Sequence, residues 1–357
     1  MNRIYQERPR SAESLLIAGL IEKKAEEKVS VTTALPQTGA LILHDSSDKI
    51  PQVVYVDAGL SGQGDSSAML SLEWKDASSP FADRSDSAED YISNTVVIDR
   101  ILQPPAPSNK EEAQNAYIYS CKVFDDRAVY ARAAAAGQYT ERSAYPNGAA
   151  STPVLTYERI LFLSSPFVVD LFRVRGGRVH DWIDYSPAGI ESLIHGEWGS
   201  FNAASNEYPW LINSEKIDSA EMKGIYGVVF NPLPGNDIRR RLWMIDPAGS
   251  QLIAAKHKTG ATLISRRTSA EEEGDLYVMI HERFTKAPPS NIRFEQLPLD
   301  PGVNRRGFQA FAFALIQEGE EHLFLFSLNP EVEFSSRYKG GRIIFQGSFG
   351  HVLLKND

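Results

Sequence analysis

Residues 57–74, DAGLSGQGDSSAMLSLEW, display Gln63, Asp65, Ser66 and Ser67 on a glycine-rich connection between two β-like runs. Glycine lets a backbone or a ligand come close where a side chain would block it. No helix-forming stretch follows, so the pattern argues against a phosphate-cradling loop at a helix N-terminus. A ligand-facing turn and an ordinary long hairpin loop both stay open. The histidines, His44, His180, His195, His257, His281, His322 and His351, form no HxH, HExxH or Cys/His cluster. Spacing alone therefore announces no metal site. His180 stands out because HDWIDYS, after a Gly-Gly turn, puts polar and aromatic groups together; a structural histidine with satisfied hydrogen bonds is the plainer reading there. His281, in VMIHERF beside Glu282 and Arg283, reads as part of a partly exposed strand face.

Other catalytic patterns are missing. There is no GxSxG elbow. With 46 aspartates and glutamates, no glycosidase-type pair can be singled out. The single cysteine, Cys121, lies in the alternating run AYIYSCKVF and reads as a small residue packed in a strand, not a nucleophile. One cysteine allows no intrachain disulfide. Trp198 and Trp210 lie in the loop-like segment 196–213, where an indole can serve as a sugar platform, whereas tryptophans in general are expected in cores.

These groups need a scaffold to position them. The chain has 357 residues, 42% of them hydrophobic, which is enough for a substantial core and excludes wholesale disorder. Its formal charge of −9 argues against duplex nucleic acid as a partner, while a local basic groove for an anionic ligand stays compatible. No run approaches the ~20 apolar residues needed to span a bilayer. The stretch LLIAGLI is short, preceded by Glu13 and followed by charge, so no export signal is expected in the chain as given.

Residues 11–28 read as the one clear helix, with Ser11 as N-cap, Glu13 in the first turn and an apolar stripe of Leu15, Leu16, Ile17, Leu20 and Ile21. From residue 30 onward, short runs rich in Val, Ile, Tyr and Phe alternate with Gly, Pro, Asn, Asp and Ser clusters, giving about eighteen candidate strands. RVRGGRV, LPGND, EEEGD, IQEGEEH and YKGGR suit hairpin turns. So many strands predict stacked sheets. The fold expected is mainly β: a large antiparallel β-sandwich (a supersandwich) with a short N-terminal helix over residues 1–30, the sandwich over 31–300 and a smaller C-terminal β-section over 301–357. The polar stretches 76–92 and 103–116 read as surface excursions from it.

The order of motifs resembles the C-terminal β-sandwich part of heparinase II/III-like polysaccharide lyases. In that family a strand ending in D-x-G leads to a G-H-G-H-x-D loop and then L-S-L; here YVDAG is followed by GQGDSS and LSL. The family's H-N-T-V-x-V-D is matched by SNTVVID at 93–99, and its v-v-D-l-f-r-v-x-G-G-x-x-H by VVDLFRVRGGRVH at 168–180. RRRLWMIDPAGSQLIAAK, ISRR and LYVMIHERF resemble outer strands, and FQGSFGHVLL the last hairpin. The likeness covers roughly residues 35–357, and its specificity lies in the ordered run, not in any one motif.

The resemblance implies β-elimination on uronate-containing polysaccharide, with a base removing the proton α to the carboxylate and an acid protonating the leaving oxygen. Family members carry an (α/α) toroid before the sandwich, which supplies part of the site; here residues 11–28 would match only its last helix. The resemblance carries a catalytic position onto Gln63 and a second onto Tyr185, substrate contact onto Asn94 with the loop aromatics Trp198 and Trp210, and a metal set onto Asp65, Asp83 and His180, for zinc or calcium. The sequence departs from the pattern where Gln63 and Ser93 stand in place of histidines. An amide hydrogen-bonds a carboxylate but is no base at neutral pH. Two readings follow. One is the β-half of a lyase-like protein, completed by a toroid chain and acting on anionic polysaccharide. The other is a non-catalytic glycan-binding or scaffolding module derived from such a lyase. Family habit points to the periplasm or secretion, in tension with the lack of an export signal.

Overall fold

The computed structural model describes residues 32–35, 40–45, 52–57, 70–75, 94–100, 115–124, 128–136, 138–139, 152–153, 156–164, 167–205, 207–232, 237–258, 260–268, 274–285, 292–302, 309–317 and 319–355. The helix expected over residues 11–28, and Gln63, Asp65, Asp83 and Ser93, lie outside the described residues.

The chain is built of antiparallel β-layers, as the sequence texture predicts. A four-stranded sheet comes first, β1 (Thr33–Leu35), β2 (Ala40–Asp45), β3 (Gln52–Asp57) and β4 (Ser71–Lys75), paired in chain order. Next along the chain run β5 (Thr95–Ile98), β6 (Asn115–Phe124), β7 (Ala128–Ala136) and the short pair β8 (Gln138–Tyr139) and β9 (Thr152–Pro153). Then come β10 (Thr156–Ser164), β11 (Phe167–Arg175), β12 (Val179–Ser186), β13 (Ile190–Ile194) and β14 (Gly199–Ser200). After a one-turn helix α1 (Pro209–Ile212) follow β15 (Lys216–Phe230), β16 (Ile238–His257), β17 (Gly260–Thr268) and β18 (Gly274–Thr285). The last strands are β19 (Arg293–Gln296), β20 (Ala310–Gln317), β21 (Glu320–Ser327), β22 (Glu333–Tyr338), β23 (Gly341–Gln346) and β24 (Phe349–Lys355).

A 12-stranded sheet runs β5-β12-β17-β16-β18-β11-β10-β7-β6, with β15 pairing β16, β13 and β14. It rolls over on itself. Tyr157 on β10 reaches across to donate to the Val96 carbonyl on β5 at 2.6 Å, and Tyr277 on β18 to the His180 carbonyl on β12 at 2.7 Å, although these strands stand far apart in the pairing order. The interior closed by that roll holds Val96, Trp182 and Leu263 from one side with Tyr157, Phe172 and Tyr277 from the other, and the first sheet adds Leu41, Leu43, Val54, Val56 and Leu72 to the same cluster.

The opposite face of β10, β11 and β18 is also covered. Phe162, Leu171 and Ile280 pack against Phe311, Phe313, Phe324 and Phe326 of the C-terminal sheet, β19-β20-β21-β24. Burial on both faces is why TYERILFLS, FVVDLFRVR and GDLYVMIHERFT carry near-continuous apolar runs instead of alternating with polar residues. β22 and β23 form a further pair; Tyr338 and Ile343 contribute to the outermost core cluster. The sheet begun by β19 lies on both sides of residue 300, where Asp300 also bridges Ser335.

Three of the five expected hairpin turns join paired strands: LPGND between β15 and β16, IQEGEEH between β20 and β21, and YKGGR between β22 and β23. The other two are crossovers. RVRGGRV carries the chain from β11 to β12, which pairs with β5 and β17 instead. Asp99 explains the change of layer: its Oδ1 accepts the backbone N–H of Arg178 at 2.7 Å and of Val179 at 2.9 Å, so the turn is fastened to the end of β5. Gly177, at φ +76°, is required there because a Cβ would lie 2.3 Å from Ile98. EEEGD likewise joins β17 to β18, which do not pair. FQGSFGHVLL is no hairpin either, since β23 pairs with β22 and β24 with β21.

Candidate functional site at one mouth of the sandwich

Leu70 and Asn94 are the first described residues after the two connections that carry Gln63 with Asp65 and Asp83 with Ser93. Both have positive φ, 54° and 30°. Asparagine tolerates this region and leucine does not, so neighbouring groups must hold Leu70 in place. Arg159 of β10 does so. Its Nη1 donates to the carbonyls of Leu70 at 2.6 Å and Asn94 at 2.5 Å, while Nε and Nη2 grip the two oxygens of Asp170 at 2.8 and 2.5 Å. Arg159 and Asp170 are both buried. One guanidinium thus fastens both connections to a single point on the sheet.

Further groups gather at the same point. The side-chain carbonyl of Asn94 accepts the backbone N–H of Tyr185 at 2.8 Å. Tyr185 is 36% exposed, its neighbour Asp184 fully buried. Alternation along β12 sends Asp184 inward, where Arg240 of β16 grips it at 2.8 and 2.5 Å and also lies over the Phe230 ring at 4.2 Å. His281 lies 3.6 Å from Asp170 and is fully buried. This corrects the reading of VMIHERF as a partly exposed face. The strand is covered on both sides, and burial pushes the imidazole's pKa down, against the pull of Asp170, so it stays neutral. Burial alone would raise the Asp170 carboxyl, but Arg159 and His281 hold it below the usual carboxylate range.

The expected site residues are placed as follows. Asn94 and Tyr185 come together. Trp210 stacks on Tyr208 with ring centroids 5.0 Å apart and lies 6.0 Å from the His257 ring. His257 bonds Thr262, which sits directly opposite Tyr185, so Trp210 belongs to the same outer surface. Trp198 is half-buried against the sandwich interior instead. His180 is fully buried, with Nδ1 2.6 Å from Asp275 and Nε2 2.8 Å from the Gly176 carbonyl. Both ring nitrogens are thus engaged by protein groups in the interior. Among the described residues no group of three or more His, Cys, Asp or Glu is arranged to hold an ion. Asp65 and Asp83, the other two members of the metal set expected with His180, lie outside the described residues. Arg159, Asp184, Arg240 and His281 are the mouth residues that sequence reasoning missed.

Cys121 is half-buried on β6, and burial raises its thiol pKa. Alkylation by iodoacetamide at neutral pH should therefore run slower than for free cysteine, because the thiolate is the nucleophile. A rate equal to or above that of free cysteine would contradict this placement.

No protein family and no curated protein sequence matches the chain. Solved structures do. A heparinase III gene product aligns over 90% of this chain and 46% of its own length, with TM-score 0.45 and 10% identity. The heparan sulfate lyase HepC from Pedobacter heparinus aligns over 91% and 48%, with TM-score 0.44 and 10% identity. A putative aldose 1-epimerase from Escherichia coli K12 aligns over 70% of this chain and all of its own, with TM-score 0.33 and 9% identity. The chain spans less than half the length of these two lyases. Among the described residues no helix is long and apolar enough to cross a membrane.

Proposed function

We propose that this chain is a lyase-related β-domain whose sandwich mouth holds an anionic, uronate-containing polysaccharide. The observation that carries the reading is the convergence at Arg159. Three segments whose sequences resemble the lyase pattern, the one ending in LSL, SNTVVID, and the strand bearing Tyr185, meet within a few hydrogen bonds of one another. Loops carry binding chemistry when a rigid scaffold fixes their ends, and a buried Arg–Asp pair is such a fixture.

In this reading Gln63 offers an amide to the sugar carboxylate, Asn94 positions the rim, and Tyr185 and Trp210 supply the exposed ring surface. Asp65 and Asp83 keep their proposed place as oxygen ligands. Among the described residues of the mouth, His281 is buried and the half-buried His257 is bonded to Thr262. Base chemistry would therefore be completed by an (α/α) toroid chain, and the chain alone should bind without turnover.

Calorimetry with an unsulfated uronate hexasaccharide and its carboxyl-reduced, neutral counterpart tests the reading. Binding of the first, at least about tenfold tighter than the second, is expected from one charge-assisted contact. No unsaturated product, read by its ultraviolet absorbance, should form without a toroid chain. Absence of heat with every uronate oligomer would end the glycan reading; product formed by the chain alone would end the division of labour.

A further inference from the structure

The rolled sheet has a second end. The pairing of β12 with β17 sets Tyr185 opposite Thr262 and His180 opposite Arg267. The strand from Tyr185 back to His180 spans about 16 Å, so Arg267 stands well away from the Asn94–Tyr185 mouth. The ladder of β15 and β16 breaks beside it. Between the pairs Met222–Ser250 and Gly224–Asp246, residues 247–249 stand against Lys223 alone. A cavity of about 550 Å³ lies at this bulge, and its lining includes Met222, Gly249, Ser250, Gln251 and Arg267. Sites for small ligands run from about 300 to 1,000 Å³.

The wall of this cavity carries an ion pair closed at only one corner. Arg267 and Asp246 are 3% and 1% exposed. Nη2 of Arg267 lies 2.9 Å from Asp246 Oδ1, which also accepts the Gly249 N–H at 2.8 Å, while Nη1 donates to the Leu276 carbonyl at 2.8 Å. Nε of Arg267 and Oδ2 of Asp246 have no hydrogen-bond partner among the described residues. Other buried pairs close both corners: Arg159 and Arg266 each use Nε and Nη2 together on the two oxygens of Asp170 and Asp181. Here one donor and one acceptor are left over, and burial makes each costly to leave unmet. A single hydroxyl answers both, because it accepts one hydrogen bond and donates another. A carboxylate would answer Nε but be repelled by Oδ2, and an ammonium the reverse.

We propose that this cavity binds a neutral sugar unit, one hydroxyl of which accepts from Arg267 Nε and donates to Asp246 Oδ2. The site stands on this geometry and not on the reading of the Asn94–Tyr185 mouth. Arg267 and Gly249, the two groups bonded to Asp246 Oδ1, both line the cavity, which puts the open pair at its wall. The rest of the lining suits several hydroxyls and selects no net charge: Glu221 and Lys223 are exposed with opposite signs, and the half-buried Gln251 offers an amide.

The probe is the carboxyl-reduced, neutral hexasaccharide, titrated into the full chain by calorimetry. Saturable binding is expected, with amide exchange slowed at Gly249–Gln251 and Arg267. Asp246→Asn turns the waiting acceptor into a donor and should weaken binding about tenfold or more. Should that variant fail to fold, Ala248→Phe, which fills the cavity from the bulge, should weaken it at least as much. Arg337→Gln, on the exposed side of β22, should change nothing. No saturable binding, or binding unchanged in either folded variant, would overturn the site and leave the open pair to water. The two readings fail separately. Neutral binding lost in the variants, with no preference for the uronate hexasaccharide, keeps this site and ends the reading at the mouth. A uronate preference that stands while neutral binding ignores the variants does the reverse.

Discussion

Arg159→Met should destabilise the chain by about 3–5 kcal/mol, among the largest losses expected from any single substitution here. The reason is the combination of partners. Asp170 is fully buried and receives both Nε and Nη2, so removing the guanidinium strands a carboxylate in the interior. Two backbone carbonyls, of Leu70 and Asn94, lose their donor in the same step. Arg159→Lys should rescue little, because a point ammonium cannot serve a bidentate carboxylate and two carbonyls at once. Arg159→Met/Asp170→Asn should recover part of the loss by removing the stranded charge. Urea unfolding measures the free energy, and amide exchange at Leu72 and Val96 reports whether β4 and β5 loosen first. A loss under about 1 kcal/mol, the range of an exposed ion pair, would show that Arg159 is not the buried anchor described.

The second large effect is pH-dependent and sits on the other side of β10. His322 and His351 lie 3.1 Å apart, their rings among Phe162, Phe167 and Phe324, where the C-terminal sheet packs on the large one. Burial, and then the neighbouring His322, press His351 down to about 4, from an ordinary value of 6.5. His322 is lowered as well by burial, with Glu320 opposing. A lowered folded-state pKa means that the unfolded chain takes up the proton first. The stabilisation is therefore complete above about pH 6.5 and is lost as pH falls through the window down to about 4. The loss should amount to about 2 kcal/mol, after allowance for partial exposure. His322→Phe/His351→Phe removes both imidazoles and keeps the ring packing, so its stability should be flat across that window. A double variant that loses stability as steeply as the parent would contradict the placement of this pair.

How much of this could be read beforehand follows from how sequence encodes burial. β10, β11 and β18 were legible because layers on both faces demand long apolar runs. β12 was not, although VHDWIDYS lies in the middle of the fold. Its His180, Asp181 and Asp184 are buried polar groups, each answered by a partner far along the chain: Asp275, Arg266 and Arg240. A polar strand whose hydrogen bonds are satisfied only in three dimensions looks like a turn in one. The crossovers at RVRGGRV and EEEGD read as hairpins for a similar reason, since glycine permits a reversal without choosing the strand that follows.

The candidate site divides along the same line. Asn94 and Tyr185 were reachable through motif order, and the structure joins them by a hydrogen bond. Arg159, Asp184, Arg240 and His281 were hidden by separation, since only strand register and the roll of the sheet bring residues so far apart to one mouth. A signal was nonetheless present: charged residues interrupt otherwise apolar runs in YERILFL, VVDLFRV and VMIHERF. A charge inside such a run is rarely tolerated unless paired, so each interruption predicts a partner and, taken together, a buried polar cluster.

The most direct test of the account is amide hydrogen exchange with and without the uronate hexasaccharide. Slowed exchange concentrated at Leu70–Leu72, Asn94–Val96 and Tyr185 is the predicted outcome, because these are the rims that Arg159 and Asn94 tie together. Protection confined to other strands, with those three segments unchanged at a sugar concentration that saturates the calorimetric signal, would contradict it.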